Sequence, residues 1–234
     1  MNSLDANIRN TKSKGDIRSL RLAGNIPGII YGGTEQNQKV TILKKTLKPR
    51  GLRSFLYTIE NKNCKILDVG CGNQSSFFLK TLKPDSTLYG IDVSDFNQSE
   101  ESKGLFDRYI IERPEMFDRS IQNIEEDFEI IISNHNIEHC NDPEKTFRAM
   151  VDRTAVGGHI FIATPSICSI NFPSRGGGLN FYDDPTHQKY PVDLMKLFKS
   201  ESKRLECIFY SESSKPFIWY CFGGMLEFIS RKLD

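Results

Sequence analysis

The segment Lys65-Ile66-Leu67-Asp68-Val69-Gly70-Cys71-Gly72-Asn73 constrains this chain more than any other. An apolar run of strand length breaks there into two glycines, and helical spacing resumes at once in QSSFFLKTLKP (74–84). A strand that turns through glycines into a helix brings backbone N–H groups and the positive helix terminus up to a ligand, and a side chain in the turn would block the approach. The alternation continues downstream. TLYGIDV (87–93), RYIIE (108–112), FEIIISNH (128–135) and GHIFIAT (158–164) read as strands, and most lack polar alternation, as expected where both faces are covered. PEMFDRSIQNIEE (114–126) and DPEKTFRAMVDRTAVGG (142–158) read as helices, with Pro114 and Pro143 in first-turn positions and Gly157-Gly158 closing the second. Strand–helix repetition predicts an α/β architecture, a mostly parallel sheet with helices on both faces. The loop after Thr164, reaching Gln188, exceeds the usual connection and reads as a lid or substrate loop. A helix (190–202), a strand RLECIFYS (204–211) and a helix interrupted at Gly223-Gly224 complete the expected order.

Two details choose the ligand. An acid, Asp68, lies two residues before Gly70, and Ser75 stands where the dinucleotide pattern GxGxxG has its third glycine. A carboxylate there would repel a pyrophosphate but suits the ammonium and sulfonium cations of S-adenosylmethionine. A second acid, Asp92, ends the next strand and is placed to accept both hydroxyls of a ribose. With ILDVGCG, YGIDVS, FEIIISNHNIEHCNDP and AVGGHIFIATPS in this order, residues 48–234 resemble the class I S-adenosylmethionine-dependent methyltransferases, within them the type 11 group. The resemblance implies a Rossmann-like three-layer sandwich using S-adenosyl-L-methionine. It further implies that Asp68, Gly70 and Gly72 cradle the methionine part, that Asp92 holds the ribose, and that Ser133 and Asn134 lie beside the cofactor. Gln74 departs from the pattern, since many members carry a glycine there. The family ends on an antiparallel hairpin of which RLECIFYS alone is evident, so the domain reads as C-terminally truncated.

His135, His139 and His187 fall where a methyl acceptor should sit, whereas His159 opens a strand and reads as structural. His135-Asn136-Ile137-Glu138-His139 matches the HxxEH pattern of inverted zinc proteases, but His135 closes a strand of the nucleotide fold and the two histidines do not share a helix face. Comparison with the ExxEH plus distant His of metal-dependent methyltransferases offers His135, Glu138, His139 and His187 as a set for a divalent ion. The reading carried forward is no metal, with the Glu-His pair shaping the pocket or with His139 or His187 as general base. A sulfonium methyl is already a strong electrophile, so in-line positioning supplies most of the acceleration. The Asn-Pro-Pro-Tyr type signature of amino-group methylation is replaced by Ser133-Asn134-His135-Asn136, which favours oxygen or carbon acceptors. A loop carrying Arg175, Gly176-Gly177-Gly178, Tyr182, Asp183, Asp184 and His187 suits a polar small-molecule or sugar-like acceptor.

The formal charge of +1 conceals a split: residues 1–50 hold 10 Lys/Arg against 3 Asp/Glu, a net of +7, which leaves −6 for the rest. Residues 1–47 resemble the start of the bacterial ribosomal large-subunit protein family that binds 5S ribosomal RNA, related to the stress protein Ctc, through RNTKSKGDIRSLRLAGNIPGIIYGG. That resemblance implies a small partial β-barrel fragment ahead of the α/β domain, with Arg9, Lys14, Arg18 and Arg21 in RNA contact. The match covers half of that family's barrel, and a chimeric reading frame explains its junction with the remainder. The alternatives are a 5S ribosomal RNA-binding protein with a non-catalytic second domain, or an RNA methyltransferase, which the acidic remainder disfavours. The N-terminal residues lack a 7–15-residue apolar stretch and no window approaches a membrane span, so the expected location is the cytoplasm. Six cysteines without CxxC pairing read as reduced, mostly buried thiols.

Overall fold

The computed structural model describes residues 7–8, 13, 16–17, 19–20, 25–30, 38–43, 51–61, 63–172 and 180–212. Strands β1 (Asn7–Ile8), β2 (Asn25–Ile30) and β3 (Gln38–Leu43) form an antiparallel sheet in the order β1-β3-β2. β2 pairs along its whole length, from Asn25 opposite Leu43 to Ile30 opposite Gln38. Arg9, Lys14, Arg18 and Arg21 lie outside the described residues, as do Arg175 to Gly178 and the segment around Gly223-Gly224.

The α/β region is built on β4 (Lys65–Val69), β5 (Thr87–Asp92), β6 (Arg108–Ile111), β7 (Phe128–Asn134) and β8 (Thr154–Ala163). Their order is β6-β5-β4-β7-β8, and every pairing is parallel. Helices are α1 (Leu52–Thr58), α2 (Ser75–Leu82), α3 (Glu100–Lys103), α4 (Phe117–Gln122), α5 (Pro143–Asp152) and α6 (Leu194–Ser200). Because strand side chains alternate, the sheet's two faces separate cleanly. Leu67, Val69 and Ile131 pack with Phe117, Ile121, Ala149 and Met150 of α4 and α5, while Ile66, Ile130 and Ile132 pack with Phe55, Leu56 and Leu79 of α1 and α2. These are the three layers of a Rossmann-like sandwich. The unbroken apolar runs belong to the interior strands β4 and β7, whose residues are almost all buried on both faces.

Three expectations change. The helix expected over 142–158 stops at Asp152, where the Arg153 N–H turns back to the Ala149 and Met150 carbonyls. Gly157-Gly158 instead serves a bulge in β8: Phe128 faces Thr154 and Ile130 faces His159, so five steps on β8 oppose two on β7. Gly157 holds φ at +76°, and a Cβ on Gly158 would lie 2.8 Å from the Ala155 carbonyl oxygen. Second, the helix expected over 114–126 splits into a 3₁₀ turn at Pro114–Met116 followed by the short α4. Third, residues 204–211 take no strand conformation, and Glu206, Cys207 and Ile208 are exposed instead of paired. The long loop contains 3₁₀ turns at Ile167–Asn171 and Phe181–Asp183. Cys64, Cys71 and Cys140 are buried, Cys168 and Cys207 are exposed, and all five are free thiols. Among the described residues no helix is long and apolar enough to cross a membrane.

Candidate active site

In a doubly wound sheet the ligand crevice opens where the strand order reverses, beyond the carboxyl ends of the strands. Here that point lies between β4 and β7, because the chain builds outward from β4 to β5 and β6 and then crosses to β7 and β8. Asp68, Asp92, Ser133 and Asn134 all stand at the carboxyl ends of β4, β5 and β7. The topology therefore brings the sequence-separated candidates together.

The glycine turn is held from both sides. The Gly70 N–H donates to the Ile91 carbonyl at 2.7 Å, and its φ of +85° is one that glycine alone adopts at little cost. A Cβ on Gly70 would lie 2.3 Å from Cβ of Asn136, so the turn after β7 packs directly against the turn after β4. A Cβ on Gly72 would lie 3.2 Å from Asp92 Oδ2. The loop after β5 clamps the turn as well, with Gln98 Nε2 donating to the Cys71 carbonyl at 2.7 Å and Asn97 Nδ2 to Asn73 Oδ1 at 3.0 Å. Gln74 sits in the left-handed region at φ 57°. Its backbone explains why a glycine is favoured at that position.

Electrostatics mark the site as one that wants a cation. Asp68 is buried, and burial lifts its carboxyl to about 7; the Ser75 hydroxyl, donating to Oδ2 at 2.6 Å, opposes the rise and the nearby Asp92 adds to it. Ser75 thus ties the acid in place where the dinucleotide pattern has glycine. Burial also raises the Asp92 carboxyl, against donation from the backbone N–H groups of Val93, Ser94 and Gly72. Ser133 is buried and its Oγ has no hydrogen-bond partner, whereas Asn134 is exposed. A buried hydroxyl without a partner is uncommon and calls for something to satisfy it.

The histidines gather on the other side of Asn136. A single 3₁₀ turn, Ile137–His139, follows it, and the loop at 180–188 docks there. The Gln188 N–H donates to the Glu138 carbonyl at 2.9 Å, and His139 Nδ1 meets Thr186 Oγ1 at 2.9 Å. His187 stacks on Phe181 with ring centroids 4.4 Å apart, and its ring lies 4.7 Å from that of His139. His135, at the end of β7, holds a strained φ of +56°, and its Nδ1 lies 3.4 Å from Oε1 of the buried Glu138. That carboxylate raises the His135 imidazole, with burial opposing. His159 lies in β8 with its ring at 6.2 Å from Phe55, a packing role.

Comparison with known proteins gives the family. Residues 42–204 match the family described as "Methyltransferase domain". The chain belongs to that family. S-adenosylmethionine is the cofactor its methyltransferase relatives use, and several were crystallised with the spent form, S-adenosylhomocysteine. Among solved structures the chain is similar to the plantazolicin methyltransferase BamL, with 17% identity, 67% of this chain and 64% of that one covered, and a TM-score of 0.49. It is also similar to the sugar N-methyltransferase KedS8 from Streptoalloteichus sp, with 21% identity, 46% and 43% covered, and a TM-score of 0.36. A 48-residue segment is 88% identical to the large ribosomal subunit protein bL25 of Pelagibacter ubique, covering 20% of this chain and 21% of that protein. The chain thus spans about a fifth of the Pelagibacter ubique protein and under half of the sugar N-methyltransferase.

The residues present fit the family's cofactor. Two carboxylates raised by burial, Asp68 further by the nearby Asp92, would suit a cationic ligand, the glycines leave the room a side chain would fill, and Ser133 Oγ is unsatisfied. Sequence reasoning missed Asn136 and Ser75, which form the wall against Gly70 and the tie to Asp68. Ser75 had a readable signal as the departure from the dinucleotide pattern; Asn136 had none, because its contact with Gly70 crosses from β7 to β4.

Proposed function

We propose that this protein transfers a methyl group from S-adenosylmethionine to a polar small-molecule or sugar-like acceptor, with oxygen or carbon as the receiving atom. The observation that carries the reading is the convergence of Asp68, Gly70, Gly72, Asp92 and Ser133 at the reversal of strand order, in a member of the methyltransferase domain family. When bound, the cofactor supplies an electrophilic methyl. Asp68 would face its ammonium, Gly70 and Gly72 would let the methionine part approach the turn, Asp92 would take the ribose hydroxyls, and Asn134 would border the acceptor. His139 and His187 stand on the acceptor side, joined to the crevice through the turn that begins at Asn136. The loop at 180–188, pinned to that turn by Thr186 and Gln188, would exclude water from the acceptor. We place the domain boundary near residue 48 and the protein in the cytoplasm, where the five free thiols among the described residues stay reduced.

Incubation with methyl-labelled cofactor and a panel of sugars, polyols and amines tests this. Label should pass to hydroxylated acceptors, and transfer confined to amines would overturn the acceptor class. A second reading has its own support in the 88% identity to a ribosomal protein over 48 residues. In it the basic head, net +7, binds 5S ribosomal RNA through Arg9, Lys14, Arg18 and Arg21, and a chimeric reading frame joins it to the methyltransferase region. Binding of that RNA should then fall steeply with salt, since phosphate contacts release counterions. Weak, salt-insensitive binding would remove this reading.

A further inference from the structure

Glu138 is fully buried, and neither of its carboxylate oxygens has a hydrogen-bond partner. Burying a charge unpaired is costly, and such a group persists where something else satisfies it. The loop docked against it supplies the complement. One carboxylate oxygen of Glu138 and one ring nitrogen each of His139 and His187 lie within 4.8 Å of one another.

The hydrogen bonds fix which nitrogens are free. Thr186 Oγ1 donates to Asp184 Oδ1 at 2.6 Å, so toward His139 Nδ1, at 2.9 Å, it accepts. His139 therefore carries its proton on Nδ1 and keeps the Nε2 lone pair. His187 Nδ1 lies 2.6 Å from the Phe181 carbonyl oxygen, which can only accept, so His187 is held as the same tautomer with Nε2 free. An imidazole that donates one N–H to a carbonyl or a hydroxyl and offers the other nitrogen is the usual arrangement of a metal-bound histidine. Here it occurs twice, beside a buried carboxylate that has the exposed His135 imidazole at 3.4 Å but no hydrogen-bond partner.

We propose that Glu138, His139 and His187 form a divalent metal site, with Thr186 and the Phe181 carbonyl as its supporting shell. Two imidazoles and one carboxylate suit Zn²⁺, Co²⁺, Mn²⁺ or Fe²⁺ and leave coordination positions open. His135 is not a ligand: it falls outside that close group, and its exposed imidazole, 3.4 Å from Glu138 Oε1, positions the carboxylate. In this role the two histidines hold the ion and do not take the acceptor's proton. The site adjoins the cofactor crevice, because the turn carrying Glu138 and His139 begins at Asn136, the residue that fills the space beside Gly70. Resting on the function proposed above, the open positions are suited to a hydroxyl oxygen of the acceptor. The ion draws electron density from that oxygen, and the hydroxyl proton leaves to solvent water at lower pH.

Calorimetric titration of the chelator-stripped full chain with Zn²⁺, without cofactor, tests the site independently of methyl transfer. One equivalent should bind, and Glu138→Gln and His187→Ala should each weaken binding about 100-fold while His135→Ala retains it. Retention of full affinity in both ligand variants would overturn the proposal. Co²⁺ added to wild type provides a check that needs no variant: visible d–d absorption at one equivalent is expected, and a spectrum identical to Co²⁺ in buffer would overturn the assignment. A parallel titration with S-adenosylmethionine separates the two claims, since failure to bind metal leaves cofactor affinity intact and failure to bind cofactor leaves the metal isotherm intact.

Discussion

Replacing Asp68 by asparagine separates the charge of the cofactor site from its shape. Asparagine matches the protonated carboxyl in size and can still accept from Ser75 Oγ, so the variant keeps the packing and removes the titration. The folded carboxyl titrates at about 7 against 3.8 in the unfolded chain, so the native state holds the proton more tightly. A carboxyl raised in this way contributes its full stability below the unfolded value and loses it as pH rises through the folded one. At about 1.4 kcal/mol per unit, wild type should lose on the order of 2–3 kcal/mol between pH 5 and pH 8 relative to Asp68→Asn, within a total penalty of about 4 kcal/mol. Urea unfolding of both proteins across that range measures it, because titrating groups that do not interact with Asp68 cancel in the difference. The same charge should matter in the opposite sense to the ligand. Asp68→Asn should weaken S-adenosylmethionine binding more than tenfold at pH 8 and much less at pH 5, where the wild-type carboxyl is already neutral. Unfolding curves that stay parallel from pH 5 to pH 8 would refute the reasoning.

Further outcomes follow from the turn. Gly70→Ala places a Cβ 2.3 Å from Asn136 at a φ of +85°, and should cost about 2–4 kcal/mol by urea midpoint. Adding Asn136→Gly should recover part of that loss. Gln74→Gly relieves a left-handed backbone at φ 57° and should raise stability by about 0.5–1 kcal/mol, read as a higher melting temperature. Limited proteolysis should cut near residue 48 before it cuts the parallel sheet; equal protection of both parts would count against the chimeric junction.

The parallel sheet was legible because interior strands leave unbroken apolar runs, and β4, β5 and β7 fall within a residue or two of their expected ends. Gly157-Gly158 misled because the same dipeptide that can stop a helix can also carry a strand bulge, and only the register against β7 distinguishes them. RLECIFYS has strand composition, yet it pairs with none of the described strands, and β8 stays at the edge of the parallel sheet. The cofactor-side residues could be read from local spacing, since Asp68, Gly70 and Gly72 lie within one turn. The acceptor side could not. The tautomers of His139 and His187 depend on Thr186 and the Phe181 carbonyl, and the exclusion of His135 depends on which ligand atoms the fold brings close together. Those contacts arise when a loop docks some 50 residues away in sequence.

The central claim is that the crevice beyond β4 and β5 holds S-adenosylmethionine. Calorimetric titration of the cofactor into wild type and Asp92→Ala tests it most directly: one site per chain in wild type and a loss of at least tenfold in the variant are predicted, and no heat of binding in folded wild type would contradict the account.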